Sequence, residues 1–103
     1  MSLDIILLRQ DRVPEFILPL DVDSHCQIVE LIRNQTQSLL HRMNDYYADA
    51  AFSIEELHSL GKDLDWVIIC ASGDKEFKNF LARFKLLVDT AIKEQKRIEV
   101  IAD

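Results

Sequence analysis

A chain of 103 residues with a net charge of −6 is long enough to bury one core and too short for two. Its hydrophobic share of 49% excludes disorder, and two Gly and two Pro leave little material for a loop-rich or all-β fold. The acid surplus opposes nucleic-acid binding, which relies on Lys and Arg to neutralise phosphates. No apolar run approaches the roughly 20 residues that span a bilayer.

Leu3 to Leu8 is rich in Leu and Ile and reads as a strand buried on both faces. It is too short for a signal peptide and carries Asp4. After a polar break that contains Pro14, Phe16 to Leu20 is a second extended run, and Pro19 confines it to an edge or a strand end. The short gap predicts a hairpin.

Asp21, Asp23 and Ser24 are N-cap types, and Ile28, Leu31, Ile32, Leu39, Leu40 and Met43 follow at helical spacing. This predicts one helix from about Ser24 to Met43, with polar Asn34–Ser38 as the place for a kink or break. Ser53 and Glu56 form an S-x-x-E capping box, with Phe52 and Leu57 spaced as a hydrophobic staple. The stripe Leu57, Leu60, Leu64, Val67, Ile68, Ala71 predicts a second helix, which Gly73 can stop. Trp66 to Ala71 is also β-rich, so a strand there is the competing reading.

Asp74 can cap a third helix, whose stripe runs through Phe77, Phe80, Leu81, Phe84, Leu87, Val88, Ala91 and Ile92. Arg97 to Asp103 alternates as a closing strand that pairs with the first. Together these elements predict a single α+β domain over residues 1–103, with three helices packed on a short sheet formed by N- and C-terminal strands.

Chemistry-bearing motifs are scarce. Gly61 and Gly73 are isolated, so no phosphate-cradling loop exists, and there is no CxxC, HExxH or EF-hand pattern. Cys26 and Cys70 stand in apolar contexts without close spacing and read as buried thiols of a cytoplasmic protein. His25 beside Cys26 is a weak metal hint, because neighbouring helical side chains diverge by about 100°. A cap-region His beside a core Cys explains the pair. His41 and Asp45 lie four apart and could act as an acid/base pair; a surface hydrogen bond explains them equally well. No catalytic residue, metal set or cofactor is expected, and the chain does not read as an enzyme.

Charge distribution is more informative. Between Asp45 and Asp74 stand seven acids and one base, Lys62, a surplus equal to the charge of the whole chain. Concentrated like charge costs stability through self-repulsion, yet it steers a basic partner to the surface. Tyr46 and Tyr47, flanked by Asp45 and Asp49 just before the second helix, suit a contact surface because Tyr buries area while keeping a polar tip. The competing reading is that one Tyr packs into the core and the acids are a solvated loop. The candidate partner-binding residues are Asp45, Tyr46, Tyr47, Asp49, Glu55, Glu56 and Asp63.

The stretch DYYADAAFSIEEL, the amphipathic helix from Lys75 to Glu94 and the ending AIKEQKRIEVIAD resemble the small immunity proteins of bacterial polymorphic-toxin and contact-dependent inhibition systems. The resemblance covers roughly the last 60 residues and rests on helix and cap grammar. It implies a cytoplasmic protein that neutralises a cognate toxin domain by covering its active site or another surface the toxin needs. A nuclease toxin would present a basic site that acids can occupy in place of phosphate. A small-molecule-binding or regulatory module, or a dimerising structural subunit, are the competing readings.

Overall fold

A computed structural model describes residues 3–8, 14–72 and 74–102. Strands β1 (Leu3–Leu8), β2 (Pro14–Leu20), β3 (Ala50–Phe52) and β4 (Ile98–Ala102) form one antiparallel sheet in the order β2-β1-β4-β3. Helices α1 (Val22–Ile32), α2 (Leu57–Cys70) and α3 (Lys75–Glu94) complete an α+β domain. The expected hairpin is β1–β2, with Ile5 opposite Leu18, and the expected pairing of the chain ends is β1–β4, with Ile5 opposite Val100.

Alternation in the strands decides which face the helices cover. Leu3, Ile5, Leu7, Leu18, Leu20, Phe52, Ile98 and Val100 point into one core with Ile28, Leu60, Leu64, Phe77, Phe84 and Val88 from the helices. On the opposite face, Asp4, Ile6, Ile17, Pro19, Glu99 and Ile101 are half-buried or exposed. The expectation that β1 is buried on both faces is therefore corrected. Its even positions lie on the face away from the helical core, and only Leu8 among them is buried, where the register shifts.

Helix boundaries follow local chemistry. Asp21 caps α1 by accepting from the Ser24 N–H at 2.6 Å. Asp74 caps α3 by accepting from Glu76 and Phe77. Glu56 accepts from the Ser53 N–H at 3.0 Å, the reach-back half of the capping box, and Phe52 and Leu57 are both fully buried. Trp66 to Cys70 is helical, which settles the competition with a strand in favour of the stripe that starts at Leu57. The proposed stop at Gly73 lies outside the described residues.

The single helix expected from Ser24 to Met43 is two elements. Helix α1 ends at Ile32, and a separate 3-10 helix covers Leu39–Met43. Between them the chain turns, with Gln35 N–H donating to Ile32 O at 2.8 Å and Ser38 N–H to Gln35 O at 3.0 Å. Asn, Thr and Ser compete with the helix for backbone hydrogen bonds, so this polar stretch breaks where the alternatives are cheap. The apolar stripe continues across the break because both elements face the same core.

The thiols are also corrected. Cys26 and Cys70 are free and exposed. The buried face of α1 runs through His25, Ile28 and Ile32, and Cys26 falls off it; the α2 stripe continues to Ala71 and leaves both Ile68 and Cys70 outside. Gly61 lies on that buried stripe. A Cβ there would meet Val88 Cγ1 at 3.7 Å and Lys85 Cε at 3.8 Å, which is ordinary contact. Gly61→Ala should therefore raise stability by about 0.5–1 kcal/mol through reduced unfolded-chain freedom, measured as a higher urea midpoint with unchanged slope.

Candidate functional site

The acidic segment leaves the 3-10 helix at Asn44 and is tied down on three sides. Asp45 Oδ1 accepts from the Tyr47 N–H at 2.8 Å, closing a local turn. Tyr46 turns inward. Its hydroxyl donates to Leu20 O at 2.7 Å, and its ring meets His25 edge-on at 5.0 Å between centroids. His25 is itself buried and donates from Nε2 to Met43 O at 2.6 Å. Asp49 Oδ1 accepts from the Ala102 N–H at 2.7 Å, which fastens the loop to the end of β4.

The chain then enters β3, where Ala51 lies opposite Glu99. Arg42 spans this region from the 3-10 helix. Its Nη1 donates to Ala51 O at 3.0 Å and to Glu56 Oε1 at 2.8 Å, its Nη2 pairs with Glu56 Oε2, and its guanidinium lies 5.6 Å from the Phe52 ring centroid. This bidentate arrangement, with the Ser53 N–H as second cause, lowers the Glu56 carboxyl from 4.5 to about 2.

The seven acids thus have different employment. Asp49 and Asp63 hold parts of the fold, Asp63 by accepting from the Leu39 N–H at 2.8 Å at the start of the 3-10 helix. Asp65 pairs with Lys85 at 3.0 Å. Asp74 caps α3 and accepts from Gln27 Nε2 at 3.1 Å; that bond, followed by the Phe77 N–H, pulls its carboxyl below the usual range. Glu55 has no hydrogen-bond or ion-pair partner among the described residues. Hydrogen bonds from backbone N–H groups do not cancel formal charge, so the segment stays strongly negative.

Of the sequence-predicted residues, Asp45, Tyr46, Tyr47 and Asp49 share one loop, and Glu55 and Glu56 follow directly across β3. Tyr47 is 66% exposed and stacks edge-on against Tyr46 at 5.8 Å, so the two Tyr divide the roles of surface group and anchor. Ile54, also exposed, adds an apolar neighbour to Glu55. Asp63 stands apart: it sits at the opposite end of the 3-10 helix, about 10 Å along its axis from Asn44. Arg42 and His25, which hold the loop, were not singled out for that role, since neither has a partner within helical reach in sequence.

The His41–Asp45 pair does not form. His41 Nε2 donates to Gln35 O at 2.8 Å, and Asn44 Nδ2 donates to His41 Nδ1 at 3.0 Å. A 3-10 turn ends before Asp45, so the four-residue spacing does not bring the two side chains together. Among the described residues, no three His, Cys, Asp or Glu side chains group as metal ligands, and no helix is long and apolar enough to cross a membrane. Comparison with family models, curated proteins and solved structures finds no match.

The Glu56–Arg42 pair has a defined pH signature. A lowered folded-state pKa means that its stabilisation is complete above 4.5 and is lost as pH falls through about 2. Replacing Glu56 with Gln should lower the thermal midpoint at pH 7, with the difference from wild type shrinking between pH 4.5 and pH 2. A difference that stays constant over that range would show that the variant acts through packing alone.

Proposed function

We propose that this chain is an immunity protein that binds a basic toxin domain in the cytoplasm and neutralises it, with Tyr47, Asp45 and Glu55 at the centre of the contact. One observation carries the reading: four of the seven acids, Asp45, Asp49, Glu55 and Glu56, stand on a braced loop and at the end of the edge strand, with the Tyr47 side chain held out between Asp45 and Asp49. Bracing matters because a loop already held by Tyr46, His25 and Asp49 loses little conformational freedom on binding.

Two kinds of residue then act on different rate constants. The rim acids Asp45 and Glu55 steer a basic domain into encounter, an effect that falls off over about 8–10 Å at moderate salt. Tyr47 contributes area that must be desolvated, so it governs dissociation. Asp49, Glu56 and Asp63 enter indirectly, by keeping the loop, β3 and the 3-10 helix in place. The role in this reading is binding without turnover.

The test is kinetic binding of the toxin domain encoded beside this chain, together with growth rescue on co-expression. Asp45→Asn and Glu55→Gln should each slow association several-fold and flatten its salt dependence, while leaving dissociation nearly unchanged. Tyr47→Ala should speed dissociation, costing about 2 kcal/mol or more. Wild-type kinetics in all three, with binding abolished by Lys75→Glu and Lys78→Glu, would move the interface to the basic face of α3. The absence of any basic toxin domain beside the coding sequence would remove the proposal.

A further inference from the structure

The edge of the sheet opposite β3 has a different character. Strand β2 is paired on one side only, and α3 passes above it with Arg83, Leu86, Leu87 and Thr90 at steps of three, four and seven, which places them on one face. Between the strand and the helix lies a cleft of about 430 Å³. Its floor is buried Leu7, Leu18 and Leu87, and Phe16 and Leu86, 62% and 66% exposed, stand at its rim. This volume and apolar lining fall within the range of small-molecule sites.

The polar groups of the cleft select the ligand. Thr90 already donates its hydroxyl to Leu86 O at 2.9 Å. Arg83 makes no ion pair with any carboxylate among the described residues, so its forked donors are available to an anion. Residues 75–97 also carry seven bases against three acids, so the local field favours an anion although the whole chain repels one. An added peptide strand is a poorer occupant, because Pro14 and Pro19 carry no N–H to offer along the free edge. A dimer through Phe16 and Leu86 would bury the rim but leave Arg83 without a counter-charge.

We propose that the β2–α3 cleft binds a small amphiphilic carboxylate, its apolar body over Leu7, Leu18 and Leu87 and its carboxylate on the Arg83 guanidinium. Two strands separate β2 from β3, a spacing of about 14 Å between the edges, so this site is independent of the acidic loop.

Calorimetric titration with decanoate below its micelle threshold, repeated with decanol, tests the assignment, and amide shifts in a ¹⁵N spectrum locate the site. Decanoate should saturate at one molecule per chain, move the amides of Phe16–Leu18 and Arg83–Thr90, and bind more tightly than decanol. Arg83→Gln, an exposed change whose folding a thermal melt verifies, should weaken decanoate about tenfold and leave decanol unchanged. Thr90→Trp should block both ligands. The assignment is overturned if decanoate shows no saturable binding, if Arg83→Gln binds it as well as wild type, or if the chain instead sediments with phosphatidylglycerol vesicles. Sedimentation as a dimer that Leu86→Glu dissolves would overturn it too.

Discussion

The insertion of β4 between β1 and β3 is the constraint on which the rest of this structure depends. It joins the two ends of the chain, and it gives the three-residue β3 a partner that so short a strand could not do without. Through the Asp49–Ala102 bond it also sets where the acidic loop can lie. The helices respond to the same constraint: with the sheet closed in this order, its alternating residues present one apolar face, and all three helical stripes bury against it. A loss of the last strand would therefore loosen the loop as well as the core.

The acidic segment combines two demands that compete for the same residues. Acids at Asp63 and Asp74 complete helix starts, and those at Glu56 and Asp65 meet Arg42 and Lys85. Such surface pairs stabilise little by themselves, but the Arg42 fork fixes β3 and the capping region in one geometry. What remains for recognition is smaller than the charge count implies, namely Asp45, Glu55 and exposed Tyr47. The surplus charge still contributes at long range, where the field of the whole segment counts and individual hydrogen bonds do not.

Elements with periodic burial were readable from sequence. Helix α3 and its Asp74 cap, the capping box before α2, the β1–β2 hairpin and the pairing of the chain ends all carry a local signal that the core reinforces. Where packing rather than pattern decides, sequence was silent or misleading. The stripe that suggested one helix to Met43 was a true record of burial, shared by two elements on the same core. Strand β3 is Ala-Ala-Phe, too short and too poor in β-branched residues to announce itself. Cys70 sits between Ile69 and Ala71 in the chain, and Cys26 one residue from buried His25, yet both fall one helical step off the buried face. For the candidate site, the loop residues were legible from charge, but the division of labour between Tyr46 and Tyr47 depends on Leu20 and His25, which lie more than twenty residues away in the chain.

Two opposite sheet edges of different chemistry emerge: β3 with its acids and Tyr47, and β2 with its apolar cleft and Arg83. The central claim is that the first of these is the protein-binding surface. Hydrogen–deuterium exchange on the chain, with and without a candidate basic toxin domain, tests this most directly. The account predicts new protection concentrated in the amides of Tyr47 to Glu55, with β2 and the outer face of α3 unchanged. Protection confined to β2 and α3, with the Tyr47–Glu55 amides exchanging as in the free protein, would contradict it.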